Sequence, residues 1–311
     1  MKLIKNAVIY SAKLPDAHNL AIHLAELPYA AINESQLSRS SFVPNKITNE
    51  LVTEFNGGLS FSLRFDEKIL PKNIVKARAL ERIAHVESLS GQRLSKVERL
   101  AIVDDVHATL AKTALVKTAI ITAFYYIADN LLIVPVSNKR LASIVVGNLV
   151  HVVGSVKTTT INISDIKNGL TTRLTNHLNG DAAAFEAEGF ALGEQVSLTK
   201  QGQSVSYKLT DLETAKEGIL DRIEAGFTIN ALGLTSNEIE FKLTADFLFK
   251  QIDIGVEIYT EEGDDAVYLW KQEASVQTLM LAKVVRDLCE LLGYKPPVEE
   301  EQSALDPIAA E

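Results

Sequence analysis

The composition of the chain points to a globular protein and excludes several other classes. Its 311 residues are 47% hydrophobic and carry a formal net charge of -9 at pH 7. This content excludes an intrinsically disordered chain, and the length favours two or three subdomains. No stretch has the length of apolar sequence that spans a membrane, and Lys5 falls where a signal peptide would need an apolar core, so we expect a cytosolic protein with no membrane partner. Cys289 is the one cysteine, which excludes a disulfide within the chain and predicts a buried, reduced thiol.

Charge is distributed unevenly along the sequence. Residues 68–173 hold fifteen Lys and Arg against seven Asp and Glu, whereas residues 174–311 hold ten against twenty-six. A basic segment within an acidic chain marks the surface that could attract a polyanion. The middle of the sequence is therefore the candidate surface for a nucleic acid.

The first 70 residues predict an α+β layer. Leu3–Ala12 has the composition of a strand, and Asp16 is placed to cap a helix that runs to about Leu27. Ser- and Asn-rich turns follow, and then two apolar runs flank Asn56-Gly57-Gly58. In the second run, residues 59–65, apolar and polar side chains alternate, which predicts a half-buried hairpin strand.

Two antiparallel helices are predicted next. Pro71 suits the first turn of the first helix, which extends to the break at Gly91. Ser95 and Glu98 form a capping box at the start of the second helix, which continues to about Leu110. The apolar residues with helical spacing, expected on the inner faces, are Ile74, Ala77, Leu80, Ile83 and Ala84 in the first helix and Val97, Leu100, Val103 and Val106 in the second.

The remaining sequence predicts a second hairpin and a C-terminal unit. The hairpin joins residues 119–128 to residues 131–136, and a helix is expected at residues 139–151. Residues 169–193 show only weak periodicity and predict no definite element. The residues after 297 are acidic and have too few apolar side chains to fold alone. In the C-terminal unit, strands are predicted at residues 195–199, 204–210, 227–234, 238–244 and 251–260, and helices at residues 212–225 and 272–292.

Few residues carry a recognisable catalytic or metal-binding pattern. No phosphate-binding glycine loop occurs, and no pair of histidines has the spacing of a zinc site, so we expect no cofactor and no metal. Glu238, Glu240 and Lys242 alternate along one predicted strand, as the acidic residues and lysine of some metal-dependent nucleases do. The pattern favours a surface strand, and a protein that is not an enzyme. A metal-dependent nuclease is kept as the alternative.

The basic segment offers a binding surface instead. Its helices place cations three or four residues apart, and such rows can meet the phosphates of a regular backbone without reading its sequence. The alternative is a solvated helix face on which the same cations pair with neighbouring glutamates. The candidate cations are Lys72, Lys76, Arg78, Arg82, Arg93, Lys96, Arg99, Lys112 and Lys117.

Four stretches of the sequence carry a resemblance to a known family. They are Lys5–Tyr10, Phe42-Val43-Pro44, Asp66–Pro71 followed by Val75-Lys76, and Asp211-Leu212 through to Ile223–Gly226. The Glu-Lys-Ile-Leu-Pro run is the most specific of them. On these stretches, and on the order of elements up to about Tyr294, the chain resembles the recombination-associated RdgC proteins of bacteria.

The resemblance implies a ring-shaped homodimer that binds double-stranded DNA in its positively charged hole with little sequence preference. Single-stranded DNA is kept open as a further ligand. Such a protein restrains RecA-dependent strand exchange and is associated with the nucleoid. With the resemblance, the nine candidate cations become the predicted DNA-binding residues.

The resemblance also implies an arrangement of domains. The fold class is α+β, with antiparallel sheets and packed helices. We expect a central α+β domain made of residues 1–70 and 119–160, a helical tip at residues 71–118 and a C-terminal α+β base at residues 161–297. The last residues, 298–311, are expected to be a disordered acidic tail.

Two gate segments of the family's ring fall on identifiable residues of this chain. The aromatic gate residue of the tip corresponds to Leu115, followed by Val116, and the second gate segment corresponds to Lys208. A leucine buries less area than an aromatic side chain, so the resemblance implies a weaker contact between the tips. The family has also been labelled an exonuclease, and the absence of a convincing set of carboxylates argues against that activity.

Overall fold

The fold is α+β, as predicted. The computed structural model describes residues 2–154, 159–160, 166–181, 183–186, 189–210, 212–236, 238–256 and 265–294. The predicted tail, residues 298–311, lies outside the described residues. No helix in the described part of the chain is long and apolar enough to cross a membrane.

The described chain forms twelve strands and eight helices. The strands are β1 (Ala7–Ser11), β2 (Ser38–Val43), β3 (Val52–Phe55), β4 (Gly58–Lys68), β5 (Val116–Tyr126), β6 (Leu131–Val134), β7 (Thr159–Thr160), β8 (Phe190–Lys200), β9 (Gln203–Lys208), β10 (Thr228–Ser236), β11 (Ile239–Thr244) and β12 (Leu248–Ile254). The helices are α1 (Ala17–Leu24), α2 (Lys72–Ser90), α3 (Lys96–Thr113), α4 (Lys139–Val153), α5 (Ile166–Leu178), α6 (Ala183–Glu186), α7 (Leu212–Glu224) and α8 (Ala266–Leu291).

These elements divide into two compact units, and each unit is discontinuous in sequence. The first unit comprises the chain up to Thr159 together with Leu248–Ala282. The second comprises Thr160–Phe247 together with the chain from Lys283 onward. The helical pair α2 and α3 belongs to the first unit.

The first unit contains an antiparallel sheet in the order β2-β4-β5-β6-β1-β12, with β3 also paired to β4. Its centre is the long pairing of β4 with β5, which runs from Gly58 opposite Tyr126 to Lys68 opposite Val116. The connection between these two strands is the α2–α3 pair. The helices therefore extend from one end of the longest pairing in the unit.

One face of this sheet packs against α1 and α4. Leu20 of α1, Leu63 of β4 and Val145 of α4 are completely buried in one hydrophobic cluster. The predicted cap of α1 is confirmed, because the Asp16 side chain accepts a hydrogen bond from the amide of Asn19 at 3.0 Å. That cap fixes where the helix begins and sets its apolar face over the sheet.

The opposite face of the sheet is also covered, by the first part of α8. Trp270 stacks on Phe124 of β5 with ring centroids 6.0 Å apart. Ser60 and Ser62 of β4 lie on this face and are 1% and 2% exposed. The prediction of a half-buried strand was therefore wrong, because the first part of α8 covers the face of β4 that carries the serines. Ser62 meets the Thr122 hydroxyl at 2.8 Å.

Four elements, β2, β7, α5 and α6, have no counterpart among the predicted ones. Strand β2 lies in sequence rich in Ser, and its pairing with β4 supplies the order that its composition does not. Helix α5 falls largely within residues 169–193, where no element was predicted. Its apolar residues Leu170, Leu174 and Leu178 repeat every four residues and are buried, whereas its Thr, Asn and Gly lower its intrinsic helix propensity.

The second unit contains the antiparallel order β11-β10-β8-β9 with α5, α6 and α7. Arg173 of α5 donates to the carbonyl oxygens of Ala184 and Leu291, so this cation of the basic segment has a structural role. Burial raises the pKa of the Cys289 thiol to about 11, and the residue is half-buried, less than the full burial that was predicted.

Candidate nucleic-acid interface

The candidate interface is built on the helical hairpin formed by α2 and α3. Its base is closed by a hydrogen bond from the amide of Ile69 to the carbonyl of Leu115 at 2.8 Å. At its far end, Gly91 ends α2 with φ of +69°, a backbone conformation that suits glycine. The predicted capping box is confirmed, because Ser95 and Glu98 bond reciprocally at the start of α3.

The two helices pack through faces that differ in part from the predicted ones. Val75, Ala79 and Ile83 of α2 are buried against Val106 of α3 and its neighbours. The predicted inner residues Ile74 and Leu80 of α2 are 49% and 55% exposed, and Val97 and Leu100 of α3 are 77% and 55% exposed. The spacing was correct and the face was partly correct, because the predicted residues Ile83, Val103 and Val106 do face inward. In α2 the row that meets α3 also contains Val75 and the small Ala79, which allows close approach of the helices.

All nine predicted DNA-binding cations are exposed, but they do not lie on one face. In α2, Lys76 and Arg78 are two residues apart and so point about 200° apart around the helix axis. The pair Lys72 and Lys76 therefore lies on one flank of the hairpin, and the pair Arg78 and Arg82 on the other. A single straight backbone cannot contact both pairs at once.

Three of the nine cations pair with carboxylates of the hairpin itself. Arg82 of α2 lies 2.5 Å from Asp105 of α3. Arg99 lies 2.8 Å from Glu87, and Arg78 lies 3.0 Å from Glu81. The sequence left open a solvated helix face on which the cations pair with neighbouring carboxylates. The structure shows that arrangement for these three arginines. Exposed pairs of this kind contribute little to stability and can exchange partners when a polyanion approaches.

The other six cations make no ion pair with any residue that the structure describes. They are Lys72, Lys76, Arg93, Lys96, Lys112 and Lys117. Lys112 lies in the last turn of α3, and Lys117 lies in β5 opposite Glu67. Arg93 and Lys96 lie at the other end of the hairpin. Positive charge is therefore available at both ends of the hairpin.

A pocket of about 450 Å³ lies beside the start of α3. It is lined by Arg93, Leu94, Lys96, Arg99, Leu100 and Val103. Four of these residues come from a single face of α3, since positions 96, 99, 100 and 103 are separated by three or four residues. The pocket thus combines three cations with three aliphatic side chains, a grouping that the spacing of the cations alone did not reveal.

The two gate segments lie in different units. Leu115 is 77% exposed and Val116 is 42% exposed, and both lie where α3 returns to the sheet. Leu115 is therefore at the base of the hairpin, about 27 Å from the α2–α3 loop for a helix of 18 residues. Lys208 is exposed at the end of β9, opposite Gln195 of β8. Their gate roles stay predictions.

The alternative nuclease residues lie at and within β11. Glu238 and Glu240 are exposed, and Lys242 donates to the side-chain oxygen of Gln195 at 3.4 Å. Glu240 and Lys242 share one face of the strand, as predicted from the alternation. Within the described residues, no group of three or more His, Cys, Asp or Glu side chains is placed to hold a metal ion.

The motif that carries the family resemblance proves to be a structural network at the base of the hairpin. Asp66 is 3% exposed and accepts two bonds from Nε of Arg64, at 2.9 and 3.1 Å, and one from the Thr118 hydroxyl at 2.5 Å. Glu67 pairs with Arg140 of α4. None of the predictions from sequence assigned these charges a role. The sequence signal that could have indicated which of these charged side chains are buried was the alternation of side chains between the two faces of the sheet along the end of β4.

Lys68 completes this network. Its Nζ donates to the carbonyl oxygens of Asn33 and Glu34, each at 2.8 Å, and its own amide donates to Leu37. Lys68 is 8% exposed, so the ammonium is withdrawn from solvent and from any DNA. Lys68, Arg64 and Arg140 therefore hold the hairpin base, and the buried Lys68 is not available to phosphates.

Comparison with known proteins places this arrangement in context. The family model described as "Putative exonuclease, RdgC" matches residues 3–295. The recombination-associated protein RdgC of Neisseria meningitidis serogroup C is 25% identical and is aligned over 91% of this chain and 93% of its own. The proteins of the same name from Tolumonas auensis and Pseudoalteromonas atlantica are also 25% identical, over 93% and 85% of this chain and 97% and 86% of theirs.

Proposed function

Because the chain belongs to the RdgC family of recombination-associated proteins, we propose that it binds double-stranded DNA without sequence preference and restrains RecA-dependent homologous recombination. It would do so as a homodimeric ring around the duplex. The carrying observation is the set of six exposed cations on the hairpin and at its base that make no ion pair among the described residues.

The chemistry of these cations supports a mode of binding that does not read bases. Lysine and arginine on a regular scaffold contact phosphates, and phosphate contacts position a protein without specifying a sequence. The cations of the hairpin alternate with aliphatic and small side chains, so the hairpin offers no aromatic platform on which bases of a single strand could stack. Duplex DNA is therefore favoured over single-stranded DNA.

Exposed apolar residues on the same hairpin support the homodimer. Leu80, Leu89, Val97, Leu100 and Leu115 are between 55% and 77% exposed. A set of large aliphatic side chains at one solvent-facing element is typical of an interaction surface. A closed two-fold dimer would bury Leu80 and Val97 of this set against its own copy and leave the flanking cations for DNA.

A ring on the duplex would restrain strand exchange by occupying the DNA that RecA must pair. The acidic residues 174–311 would repel DNA from the rest of the surface, so that the duplex is directed to the hairpin cations. Association with the nucleoid follows from this affinity for duplex DNA. No chemical step is required for this function, so we propose a protein that is not an enzyme.

A titration of duplex DNA at two or more salt concentrations tests the proposal. Affinity should fall steeply with salt, and the double variant Lys72→Gln with Lys76→Gln should reduce the slope of log K against log salt by about 3.6, because the dimer carries two copies of each lysine and each phosphate contact contributes about 0.9. The matched control is Lys5→Gln with Lys46→Gln, two exposed lysines outside the hairpin. Binding that ignores salt, or an equal loss in the control, would contradict the assignment.

Ring formation needs a separate measurement. Sedimentation should give the mass of a dimer, and at high salt a closed ring should remain on circular DNA but leave a linear duplex of the same length. A RecA strand-exchange assay on precoated duplex then tests restraint. Equal loss from circular and linear DNA would exclude encirclement but leave phosphate binding in place.

The second candidate function is a metal-dependent exonuclease, which the description of the matching family model favours. Glu238, Glu240 and Lys242 would be its residues. End-labelled duplex incubated with Mg²⁺ or Mn²⁺ separates the two functions, because shortening of the labelled strand that is lost in Glu240→Gln would require catalysis. Intact DNA throughout would remove this candidate.

A further inference from the structure

The pocket beside the start of α3 is lined by cations and by aliphatic side chains, and duplex DNA would contact only the cations. Half of its lining residues are the aliphatic Leu94, Leu100 and Val103, and Leu100 is 55% exposed. The pocket is an open groove with a volume of about 450 Å³. A phosphate backbone would contact the cations and leave the aliphatic wall in water.

The local charge of the pocket is positive because its three cations outnumber the two nearby carboxylates, Glu87 and Glu98. Glu87 accepts bonds from the amide of Leu94 at 2.9 Å and from Arg99 at 2.8 Å. Glu98 is engaged by Ser95 in the capping box. Lys96 and Arg93 make no direct ion pair with any described residue, although Arg93 is close enough to Glu87 to lower the pKa of that carboxyl, and both cations line the groove where a ligand's anions would meet them.

The combination of free cations with an aliphatic wall selects the class of ligand. No aromatic side chain lines the pocket, so nothing there would stack an unpaired base. An acidic peptide with an aliphatic side chain satisfies both halves of the pocket, since carboxylates pair with Arg and Lys while the apolar group removes the exposed leucine from water.

The sequence of this chain contains a segment with that composition. Residues 298–311 include five acidic residues and no basic one, and Leu305 and Ile308 flank Asp306 and Pro307. We propose that the pocket binds the 298–311 segment of a second copy of the chain. This inference rests on the proposed function, in which a homodimer keeps the segment of the other copy at high effective concentration.

Binding of the segment at this place would compete with DNA. Arg93, Lys96 and Arg99 are among the predicted phosphate contacts, so the segment occupies part of the DNA surface with carboxylates in the place of phosphates. Neutralising the segment should therefore raise the affinity for duplex DNA several-fold at low salt, and the gain should shrink as salt rises.

A fluorescence anisotropy titration with a labelled peptide of residues 298–311 tests the site directly and needs no DNA. The receptor is the full chain in which Glu299, Glu300 and Glu301 are changed to Gln and Asp306 to Asn, so that its own segment does not compete. We expect saturable binding that weakens at least five-fold in the Arg93→Gln, Lys96→Gln variant. The matched control, Lys72→Gln with Lys112→Gln, removes the same charge from the other end of the hairpin and should leave binding unchanged.

A second peptide, with Leu305→Ser and Ile308→Ser, keeps every charge and tests the aliphatic wall. It should bind at least five-fold more weakly. The proposal would be overturned if the two peptides bind equally well or if neither peptide binds. It would also be overturned if the two receptor double variants lose peptide binding to the same extent. Because the readout is peptide binding alone, a protein that fails to bind DNA but binds the peptide refutes the proposed function and not this site.

Discussion

Nη2 of Arg99 in α3 lies 2.8 Å from Oε1 of Glu87 in α2, and this pair joins the two helices next to the loop between them. The same Oε1 accepts the amide of Leu94, which fixes the loop. Arg99 was counted among the DNA-binding cations from its spacing together with the family resemblance. In the structure it also holds the hairpin together, so its removal would change both binding and folding, and it is a poor choice for testing either one by itself.

The first prediction concerns the pH dependence of the hairpin. The Leu94 amide and, after it, Arg99 lower the pKa of Glu87 below its ordinary value of 4.5. A carboxyl whose pKa is lowered in the folded state stabilises the fold above its unfolded pKa, and this contribution disappears as pH falls through the folded pKa. Glu87→Gln should therefore lower the Tm at pH 7 and have progressively less effect below about pH 4.5.

The control for this prediction is Glu81→Gln, which removes an exposed partner of Arg78 and bonds no backbone amide in the described chain. Thermal melts of the two variants at pH 7 and at pH 3 give the comparison. A Tm difference for Glu87→Gln that is the same at both pH values would show that Glu87 does not act through its charge.

The second prediction concerns Lys68 in the motif that carries the family resemblance. Lys68→Met keeps the aliphatic stem but leaves the carbonyls of Asn33 and Glu34 without their donor. We expect a loss of about 1–3 kcal/mol in the free energy of unfolding, measured by urea denaturation. The matched change Lys72→Met, four residues further along and exposed, should cost less than about 0.5 kcal/mol.

A charge that bonds only to backbone carbonyls should act on stability and not on DNA. Once Lys68→Met is compared at a temperature where it is folded, the slope of DNA affinity against salt should match that of the unchanged chain. A reduced slope would place Lys68 among the phosphate contacts and would contradict its structural role.

The success of the sequence predictions depended on whether the relevant interaction was local. Asp16 and the Ser95–Glu98 box act within one helical turn, and both caps were predicted correctly. The inner face of the hairpin depends on which row of α2 meets α3, and two apolar rows competed there. The pairing of Lys68 with residues 33–34 joins parts of the chain more than thirty positions apart, so no local pattern could indicate it.

At the candidate interface, too, local features could be predicted from the sequence and long-range ones could not. Exposure of the nine cations followed from their spacing and composition, and all nine are exposed. Their separation onto two flanks follows from helix geometry and could have been worked out from Lys76 and Arg78. The grouping of Arg93 with Leu100 in one pocket required the position of the loop after Gly91.

The third prediction tests the corrected inner face of the hairpin. Ala79 is 1% exposed between the helices, so Ala79→Leu inserts three carbon atoms where no space exists and should destabilise the protein by about 1–3 kcal/mol. Ala77 was predicted to face inward but is exposed, and Ala77→Leu should change stability by less than about 0.5 kcal/mol. Urea denaturation of the two variants measures the difference in the free energy of unfolding. A larger effect at Ala77 would show that the face predicted from the sequence packs against α3, and would contradict the face seen in the structure.

The last prediction concerns the proposed homodimer. Val97 is 77% exposed and Leu80 is 55% exposed, so neither is needed by the fold of a single chain. If the hairpins meet in the dimer, Val97→Asp with Leu80→Asp would place unpaired carboxylates in an apolar contact and should raise the dissociation constant at least a hundred-fold, since a buried unpaired charge costs several kcal/mol. Analytical ultracentrifugation across a range of concentrations measures this constant.

Charge alone must be separated from loss of the apolar contact. The variant Val97→Ser with Leu80→Ser adds no charge and should weaken the dimer less, whereas Asn73→Asp adds charge at an exposed site near the hairpin base and should leave it intact. The far-ultraviolet circular dichroism of all three should match the unchanged chain, because the substituted side chains are exposed. A dimer unaffected by both double variants would place the contact elsewhere, and the exposed leucines of the hairpin would then need a different partner.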